Sequence, residues 1–200
     1  LEPEELEKVA AACGDDAVWF EADVTVRDEL DSAVAQTVER FGGIDVVVAN
    51  AGIAGGGFVQ TMDPDAWERI IHVNLIGVYR TVHATLPHVI ERNGYVLPVA
   101  SLAAMIHGPL MSAYCATKAG VEAFAESLRS EVAYQGVDVG CAYFSWIGTD
   151  MVHGGDELPA FAEMRSKLKG PFGRTYPVSD AGEAMVKGIE TRARIVAAPG

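Results

Sequence analysis

Tyr114 and Lys118 are the residues whose types and spacing point most directly to chemistry. They stand four apart, in Tyr-Cys-Ala-Thr-Lys, on a predicted helix, so their side chains share one face with Cβ atoms about 5–6 Å apart. A free tyrosine has a pKa of about 10, and a neighbouring ammonium group favours the phenolate and lowers that pKa. The pair is therefore a candidate general acid/base. Because the same spacing occurs by chance on many helices, the pair alone does not establish a catalytic site, and other residues have to support it.

Two polar residues elsewhere add to this pair. Ser101 directly follows a predicted strand and could donate a hydrogen bond to a developing alkoxide, or it could cap a turn. Asn74 lies in the apolar stretch His-Val-Asn-Leu-Ile-Gly-Val, where a buried amide must find hydrogen-bond partners. The alternative for Asn74 is a structural amide that ties a helix to a strand.

A loop and an acid follow two other predicted strands. Asn50, Ala51 and Gly52 come directly after the most apolar strand, where small residues allow a flat ligand to approach the backbone, or simply form a turn. Asp23 ends an earlier strand, where it could accept a hydrogen bond from a nucleotide amine or cap a helix.

The elements that must position these residues alternate along the chain. The patterns predict strands over 17–22, 44–50, 95–100, 137–144 and 194–198, helices over 1–13, 25–41, 63–92, 112–135 and 179–191, and an irregular segment over 150–177. Thr25 and Asp63 are the expected N-caps, and Gly42 and Gly136 the expected stops. Strands separated by helices predict a single α/β domain over 1–200, a doubly wound and mostly parallel sheet with helices on both faces. Ligands of such sheets bind beyond the carboxyl ends of the strands, where the residues above stand.

Composition excludes several classes of function. The formal net charge of −13 leaves no basic stripe for a nucleic acid. The three cysteines lack CxxC spacing, which argues against a disulfide framework or a metal site and favours a reducing, cytoplasmic setting. The apolar runs are too short to span a membrane.

Taken together, these residues resemble the short-chain dehydrogenase/reductase family. The resemblance rests on Asp23-Val24, Asn50-Ala51-Gly52, Asn74, Ser101, Tyr114 and Lys118, in order and spacing, including a serine thirteen residues before the tyrosine. It covers nearly all of the chain and implies a Rossmann-like fold and hydride transfer between a nicotinamide cofactor and a secondary alcohol or ketone.

The resemblance also implies a role for each site residue. Tyr114 would be the general acid in reduction and the general base in oxidation, and Ser101 would orient the substrate oxygen. Lys118 would hold the nicotinamide ribose and lower the pKa of Tyr114, and Asn74 would hold a water that relays protons from Lys118. Further cofactor contacts are implied for Asp23 and Val24 beside the adenine, Asn50, Ala51 and Gly52 along the adenosine ribose, Val73 beneath the ribose, and Ile147 and Thr149 at the nicotinamide carboxamide.

The sequence departs from the family pattern in four places, of which two bear most on the site. It begins where the family's second strand should just have ended, so the fold is expected to be truncated at its N-terminus and a Gly-rich phosphate loop is expected upstream of Leu1. Phe144-Ser145 also replaces the usual Pro-Gly, which puts the placement of the nicotinamide in doubt. The acidic start, without an arginine, favours NAD as the cofactor, with NADP as the alternative.

The segment 150–177 is expected to form a lid over the substrate. Its apolar residues are Met151, Leu158, Phe161, Met164, Leu168 and Phe172, and the opposing wall would hold Met105, Ile106, His107, Leu110 and Met111. They favour a sizeable apolar substrate, or else they pack the lid onto the domain. In the family the helices at 67–92 and 112–135 pair across a two-fold axis, which implies a homodimer or homotetramer.

Two other functions stay open. A non-catalytic nucleotide-binding or scaffolding relative is favoured by the missing phosphate loop and by Phe144-Ser145, whereas the complete set of Asn74, Ser101, Tyr114 and Lys118 favours an enzyme. A flavodoxin-like signalling or binding domain would not need Tyr114 and Lys118 on one face.

Overall fold

The computed structural model describes residues 3–156 and 159–199. In chain order these form α1 (Pro3–Cys13), α2 (Arg27–Phe41), β1 (Val46–Ala49), α3 (Pro64–Ile71), α4 (Val78–Glu91), β2 (Tyr95–Pro98), α5 (Ser112–Val132), β3 (Asp138–Val139), β4 (Cys141–Phe144), α6 (Asp150–Asp156), α7 (Pro159–Ser166), α8 (Val178–Glu190) and β5 (Ile195–Ala198). A π-helical turn, His72–Gly77, joins α3 to α4, and short 3₁₀ turns occupy Leu102–Ala104, Ala133–Gln135 and Gly170–Gly173.

The strands are parallel and neighbour one another in sequence order. β1, β2 and β3 form one ladder and β4 and β5 another. Gly140 separates β3 from β4, and a bridge from Val99 to Ala142 carries the pairing of β2 across that break. A side chain at Gly140 would collide with the hydroxyl of Tyr95, which donates to the carbonyl oxygen of Ala193 over 2.7 Å. The glycine therefore makes room for a buried phenol and its hydrogen bond.

Helices cover both faces of these strands. On one face, α4 and α5 pack on buried residues such as Val96 and Val139. On the other face, α8 packs on Leu97 and Val196. Successive side chains of β2 point to opposite faces, and both are buried, as the continuous apolar run predicts. The predicted fold class, a doubly wound parallel sheet between helices, is confirmed.

Several local predictions are also confirmed. Asp63 caps α3, accepting from the backbone N–H of Asp65, with proline at the first helical position. Gly42 and Gly136 end their helices in the left-handed conformation, with φ of 78° and 76°.

Four other predictions are wrong. Residues 17–22 form no strand, and the side chains of Val18 and Trp19 stay 42% and 38% exposed. Thr25 does not cap α2, because its backbone N–H and its hydroxyl both donate to Asp23, and Val26 takes the cap position. The segment 150–177, predicted to be irregular, contains α6 and α7, and the helix predicted over 63–92 is interrupted by the π-helical turn.

Candidate functional site

Ser101 lies just beyond the carboxyl end of β2 and starts a 3₁₀ turn. Its hydroxyl accepts from the backbone N–H of Ala103 over 3.2 Å, which is the capping role that the sequence left open. The same hydroxyl donates to the carbonyl oxygen of Phe144, the last residue of β4, over 3.2 Å. Ser101 therefore joins the ends of two neighbouring strands.

Tyr114 and Lys118 occupy the first two turns of α5. The amine of Lys118 is 5.6 Å from the centroid of the Tyr114 ring, so the two side chains share one helix face. Lys118 is only 4% exposed, and its Nζ donates to the carbonyl oxygen of Val99 over 2.8 Å. Tyr114 is half-buried and lines the same cavity as Ser101. The structure thus brings the phenol and the hydroxyl to one cavity and places the amine directly behind the phenol.

Burial controls the protonation of both groups. It raises the pKa of Tyr114, and an interaction with the Ser101 hydroxyl opposes that rise. It lowers the pKa of Lys118 from 10.5 to about 8. The net direction for Tyr114 is upward because removing the phenol from water outweighs the other effects, and the expectation that Lys118 lowers this pKa stays a prediction.

Asn74 is fully buried in the π-helical turn. Its Oδ1 accepts from the backbone N–H of Ile53 over 2.8 Å, and its Nδ2 donates to the carbonyl oxygen of Ile53 over 2.9 Å. The amide thereby fixes the loop that follows β1 against the junction of α3 and α4. This is the structural alternative for Asn74, and its role in holding a water stays a prediction.

A cavity of about 530 Å³ opens in front of Ser101 and Tyr114. Gly52 and the following glycine-rich loop form one side, and Phe144 lies at its base. The wall residues Ile106 and Met111 and the lid residues Met151, Phe161, Met164, Leu168 and Phe172 line the rest, while Leu158 lies outside the described residues. Among the described lining residues there is no Lys, Arg or His, and Asp150 supplies a single carboxylate. The cavity is thus apolar apart from the serine and tyrosine hydroxyls, Ser145 and one acid.

The remaining predicted cofactor residues are more spread out. Asp23 and Val73 line a second cavity, of about 330 Å³, with Asp65, Glu68, Arg69 and His72. Asp23 Oδ1 accepts from the N–H and the hydroxyl of Thr25, each over 2.7 Å, and these hydrogen bonds lower the pKa of Asp23. Five predicted cofactor residues line neither cavity: Val24, Asn50, Ala51, Ile147 and Thr149. Of these, Asn50, Ala51 and Thr149 are exposed to solvent and Ile147 is buried. Val24 packs on Gly77.

Trp146 is a cavity residue that sequence reasoning missed. Its indole lines the first cavity and contacts the lid through Phe161 and Arg165. Its position between Phe144-Ser145 and Ile147 was a usable signal, because a large aromatic residue directly after a strand end stands where ligands bind.

Two further features concern membranes and metals. Within residues 3–156 and 159–199, no helix combines the length and apolar character needed to cross a bilayer. The same residues contain no group of three or more His, Cys, Asp or Glu side chains placed to hold a metal ion.

The sequence and the fold both match known proteins. Residues 1–157 match the family model for short chain dehydrogenases. Nodulation protein G of Rhizobium meliloti is 35% identical over 150 residues, which are 74% of this chain and 61% of that protein. The inactive 2-(S)-hydroxypropyl-CoM dehydrogenase 2 of Xanthobacter autotrophicus is 34% identical over 195 residues, which are 95% of this chain and 84% of that protein.

A solved structure agrees with these relatives. The crystal structure of 3-ketoacyl-(acyl-carrier-protein) reductase from Brucella melitensis complexed with NADH superposes with a TM-score of 0.85 at 27% identity, covering 98% of this chain and 82% of that one. The chain spans about three-fifths of the length of nodulation protein G, the 61% given above. On the family model and these relatives, the chain belongs to the short-chain dehydrogenase family.

Proposed function

We propose that this chain carries the catalytic part of an oxidoreductase that interconverts a secondary alcohol and its ketone by hydride transfer. The observation that carries the proposal is the convergence of Ser101 and Tyr114 on one apolar cavity, with the buried amine of Lys118 behind the phenol. This arrangement offers a substrate oxygen both a proton and a second hydrogen bond.

The residues behind the cavity fit the nicotinamide half of a dinucleotide. An ammonium group has three N–H bonds, and the described residues show one acceptor for Lys118, the carbonyl oxygen of Val99. Lys118 therefore has donors left for the hydroxyls of a ribose. Ile147 and Thr149 would hold the carboxamide, and a bound nicotinamide would supply or accept the hydride.

The second cavity fits the adenosine half of the same cofactor. Asp23 and Val73 line it directly, with Val24, Asn50, Ala51 and Gly52 proposed to complete the adenosine side. The three acids Asp23, Asp65 and Glu68 outnumber the single arginine of this cavity, Arg69, and this balance favours NAD over a cofactor with an additional phosphate. Competition between NADH and NADPH for the free chain would decide between NAD and the alternative, NADP.

Tyr114 and Ser101 divide the work on the substrate oxygen. In reduction, Tyr114 donates its phenolic proton to the ketone oxygen while Ser101 donates a hydrogen bond to the same atom. The raised pKa keeps the phenol protonated at neutral pH, so the free chain is prepared for reduction. Oxidation needs the phenolate, which the amine of Lys118, 5.6 Å from the centroid of the Tyr114 ring, would favour when it is protonated. Asn74 would hold the water that returns the proton.

The shape and polarity of the first cavity favour a sizeable, uncharged apolar substrate. Its described lining offers no cation to an anionic substrate, and Asp150 would repel one. Residues 150–177 act as the lid of a single domain, and α6 packs against α7 there.

Self-association through α4 and α5 is also proposed. Tyr79 on α4 is 44% exposed, and its ring lies 6.2 Å from that of Phe124 on α5 and 5.6 Å from that of His83. This exposed aromatic cluster suits an interface between copies in a homodimer or homotetramer. The cysteines of the described chain are free, which suits a reducing compartment such as the cytoplasm.

A non-catalytic relative is the second candidate. The hydrogen bond between Ser101 and Phe144 favours it, because the carbonyl oxygen of Phe144 accepts the hydrogen bond that Ser101 would have to donate to a substrate. The similarity to the inactive 2-(S)-hydroxypropyl-CoM dehydrogenase 2 of Xanthobacter autotrophicus also favours this candidate.

Replacing Tyr114 by phenylalanine separates the two candidates. Tyr114→Phe removes the proton donor and is expected to lower turnover of 2-octanone with NADH by about 10³-fold. Thermal unfolding and NADH binding should change little, because the ring remains. Tyr134→Phe, at an 84% exposed tyrosine beyond the end of α5, is the matched control. Equal turnover in wild type and Tyr114→Phe would remove Tyr114 from the mechanism, and no turnover in wild type would favour the binding relative.

A further inference from the structure

We propose that Trp146 is a positioning residue that clamps the lid over the cavity and thereby determines how large a substrate the site accepts. The inference rests on the proposed function for what the cavity holds, but the clamp itself is defined by contacts within this chain. Trp146 is 32 residues after Tyr114 and touches neither Tyr114 nor Ser101 through any hydrogen bond that the structure shows.

Three contacts of its indole side chain join Trp146 to the lid. The guanidinium carbon of Arg165, on α7, lies 4.5 Å from the centroid of the indole, a cation–π geometry. The ring of Phe161, one turn earlier on α7, meets the indole edge-on at 5.7 Å. Nε1 of Trp146 donates to the carbonyl oxygen of Phe172, beyond α7, over 2.7 Å. One side chain therefore joins α7 and Phe172, the two apolar parts of the lid that follow α6.

The backbone around Trp146 is held on two sides. Its carbonyl oxygen accepts from the N–H of Tyr176, near the end of the segment 150–177, and the N–H of Gly148 donates to the carbonyl oxygen of Tyr176, each over 2.8 Å. One residue earlier, the N–H of Ser145 donates to the carbonyl oxygen of Ala198 on β5 over 3.1 Å. The indole thus extends from a backbone that the parallel strands hold in place, whereas α7 has no fully buried residue of its own.

Arg165 is held in place over the indole. Its guanidinium group donates to the hydroxyl of Thr175 over 2.9 Å, which directs the planar cation across the ring. Because the clamp pulls α7 and Phe172 toward the strand end, it closes the apolar wall formed by Phe161, Met164 and Leu168.

The clamp should act more strongly on large substrates than on small ones. A substrate that reaches Ser101 and Tyr114 without touching the lid gains nothing from closure, whereas a longer apolar chain contacts Phe161 and Leu168. When the closed state is populated for only a fraction of the time, the apparent dissociation constant of a ligand that needs it rises by the inverse of that fraction. Weakening the clamp should therefore raise the dissociation constant of 2-octanone and leave that of 2-butanone less affected.

Arg165→Gln and Lys167→Gln form the matched pair for the test. Both remove one positive charge from the same segment, but Lys167 is 71% exposed and pairs with Glu163 on the solvent side. Chymotrypsin cleaves after the apolar lid residues when the lid opens, so its rate measures opening without any need for turnover. We expect about fivefold faster cleavage in Arg165→Gln, and in Trp146→Phe, and the wild-type rate in Lys167→Gln.

The double variant Trp146→Phe/Arg165→Gln shows whether the two side chains act together. If they form one clamp, its cleavage rate should fall short of the product of the two single factors. Equilibrium dialysis of 2-octanone and 2-butanone then measures size selection, with 2-octanone binding weakened about fivefold in Arg165→Gln.

Each outcome bears on one proposal. Wild-type cleavage in Arg165→Gln, full multiplication of the two single factors, or equal weakening of both ketones would overturn the clamp. A chain that shows the expected cleavage and size selection but reduces neither ketone would support the clamp and contradict the proposed function.

Discussion

The hydride side and the adenosine side of the proposed cofactor site are anchored in different ways. On the hydride side, Lys118 and Ser101 donate to the carbonyl oxygens of Val99 and Phe144, at the ends of adjacent parallel strands. On the adenosine side, the carboxylate of Asp23 accepts from Thr25, two residues away, and its backbone N–H donates to Glu29, six residues away. One side is built on the sheet, and the other on a loop and the helix that follows it.

Burial follows the same division. Lys118 is 4% exposed and Asn74 is fully buried, whereas Asn50 and Ala51 are exposed and α1 contains no buried residue. Atoms that must be placed within a fraction of an ångström for proton transfer are therefore fixed by long-range packing, and those that would receive the far end of the cofactor are fixed locally. The difference predicts that substitutions on the hydride side change chemistry and global stability, and those on the adenosine side change affinity.

Ser101→Ala should have the largest effect of the remaining substitutions. It removes the hydroxyl that would stabilise the developing oxyanion, so turnover of 2-octanone should fall by about 10²-fold. The two hydrogen bonds that it loses go to backbone groups, so the free energy of unfolding should fall by only about 1 kcal/mol.

Ser130→Ala is the control for Ser101. Its hydroxyl donates to the carbonyl oxygen of Glu126 on the exposed side of α5 over 3.4 Å. Steady-state kinetics and chemical denaturation measure both effects. A loss of turnover no larger in Ser101→Ala than in Ser130→Ala would contradict the idea that the hydride side performs the chemistry.

Lys118→Met tests how strongly burial acts on the hydride side. Burial lowers the pKa of Lys118 from 10.5 to about 8. Between these two values the unfolded chain holds a proton that the folded chain has lost, so this group makes wild-type stability rise with pH across that window. One pKa unit is worth about 1.4 kcal/mol, so the stability of Lys118→Met relative to wild type should fall by about 2–3 kcal/mol from neutral pH to about pH 10.5.

Comparison of wild type with Lys118→Met separates the contribution of Lys118 to the pH dependence of stability from the contributions of other groups. Burial raises the pKa of Cys115, of Cys141 and, to about 12, of Tyr95, and these groups lower stability as the pH rises above their unfolded pKa values. Cys115 and Tyr95 are present in both proteins and cancel in the difference, whereas Cys141 interacts electrostatically with Lys118 and cancels only in part. Lys167→Met, at an exposed lysine, should show no such window. A flat difference for Lys118→Met would mean that its amine is not desolvated.

Long periodic elements could be predicted from sequence, whereas pairing partners could not. The helix at 112–135 and its stop at Gly136 follow from a repeated apolar face and one glycine that adopts positive φ. Residues 17–22 have a strand-like composition, but a strand exists only where a neighbour supplies its ladder, and the described chain supplies none there. Sequence periodicity contains no information about that neighbour.

The lid shows a second limit of structure prediction from sequence. Gly154 and Gly155 lower the helix propensity of α6, so the sequence does not predict this helix. Pro159, at the first position of α7, is a helix-start signal from which α7 could have been predicted. The convergence of Ser101 and Tyr114 could be predicted because both follow from strand ends and helix spacing. The pKa directions could not be, because burial depends on the packing of the whole domain.

Asp23→Ala should have the smallest effect and is the sharpest test of the adenosine side. The change removes two hydrogen bonds from Thr25 at a half-exposed site, so the free energy of unfolding should fall by no more than about 1 kcal/mol. NADH binding, measured by fluorescence titration, should weaken by about threefold, with Glu21→Ala, at an exposed acid two residues earlier, as the control. The turnover number at saturating NADH should stay near that of wild type, because Asp23 lines a different cavity from Tyr114. A loss of turnover as large as that in Ser101→Ala would show that the adenosine side also determines the geometry of the reaction, and the division between a sheet-anchored and a loop-anchored half would then be wrong.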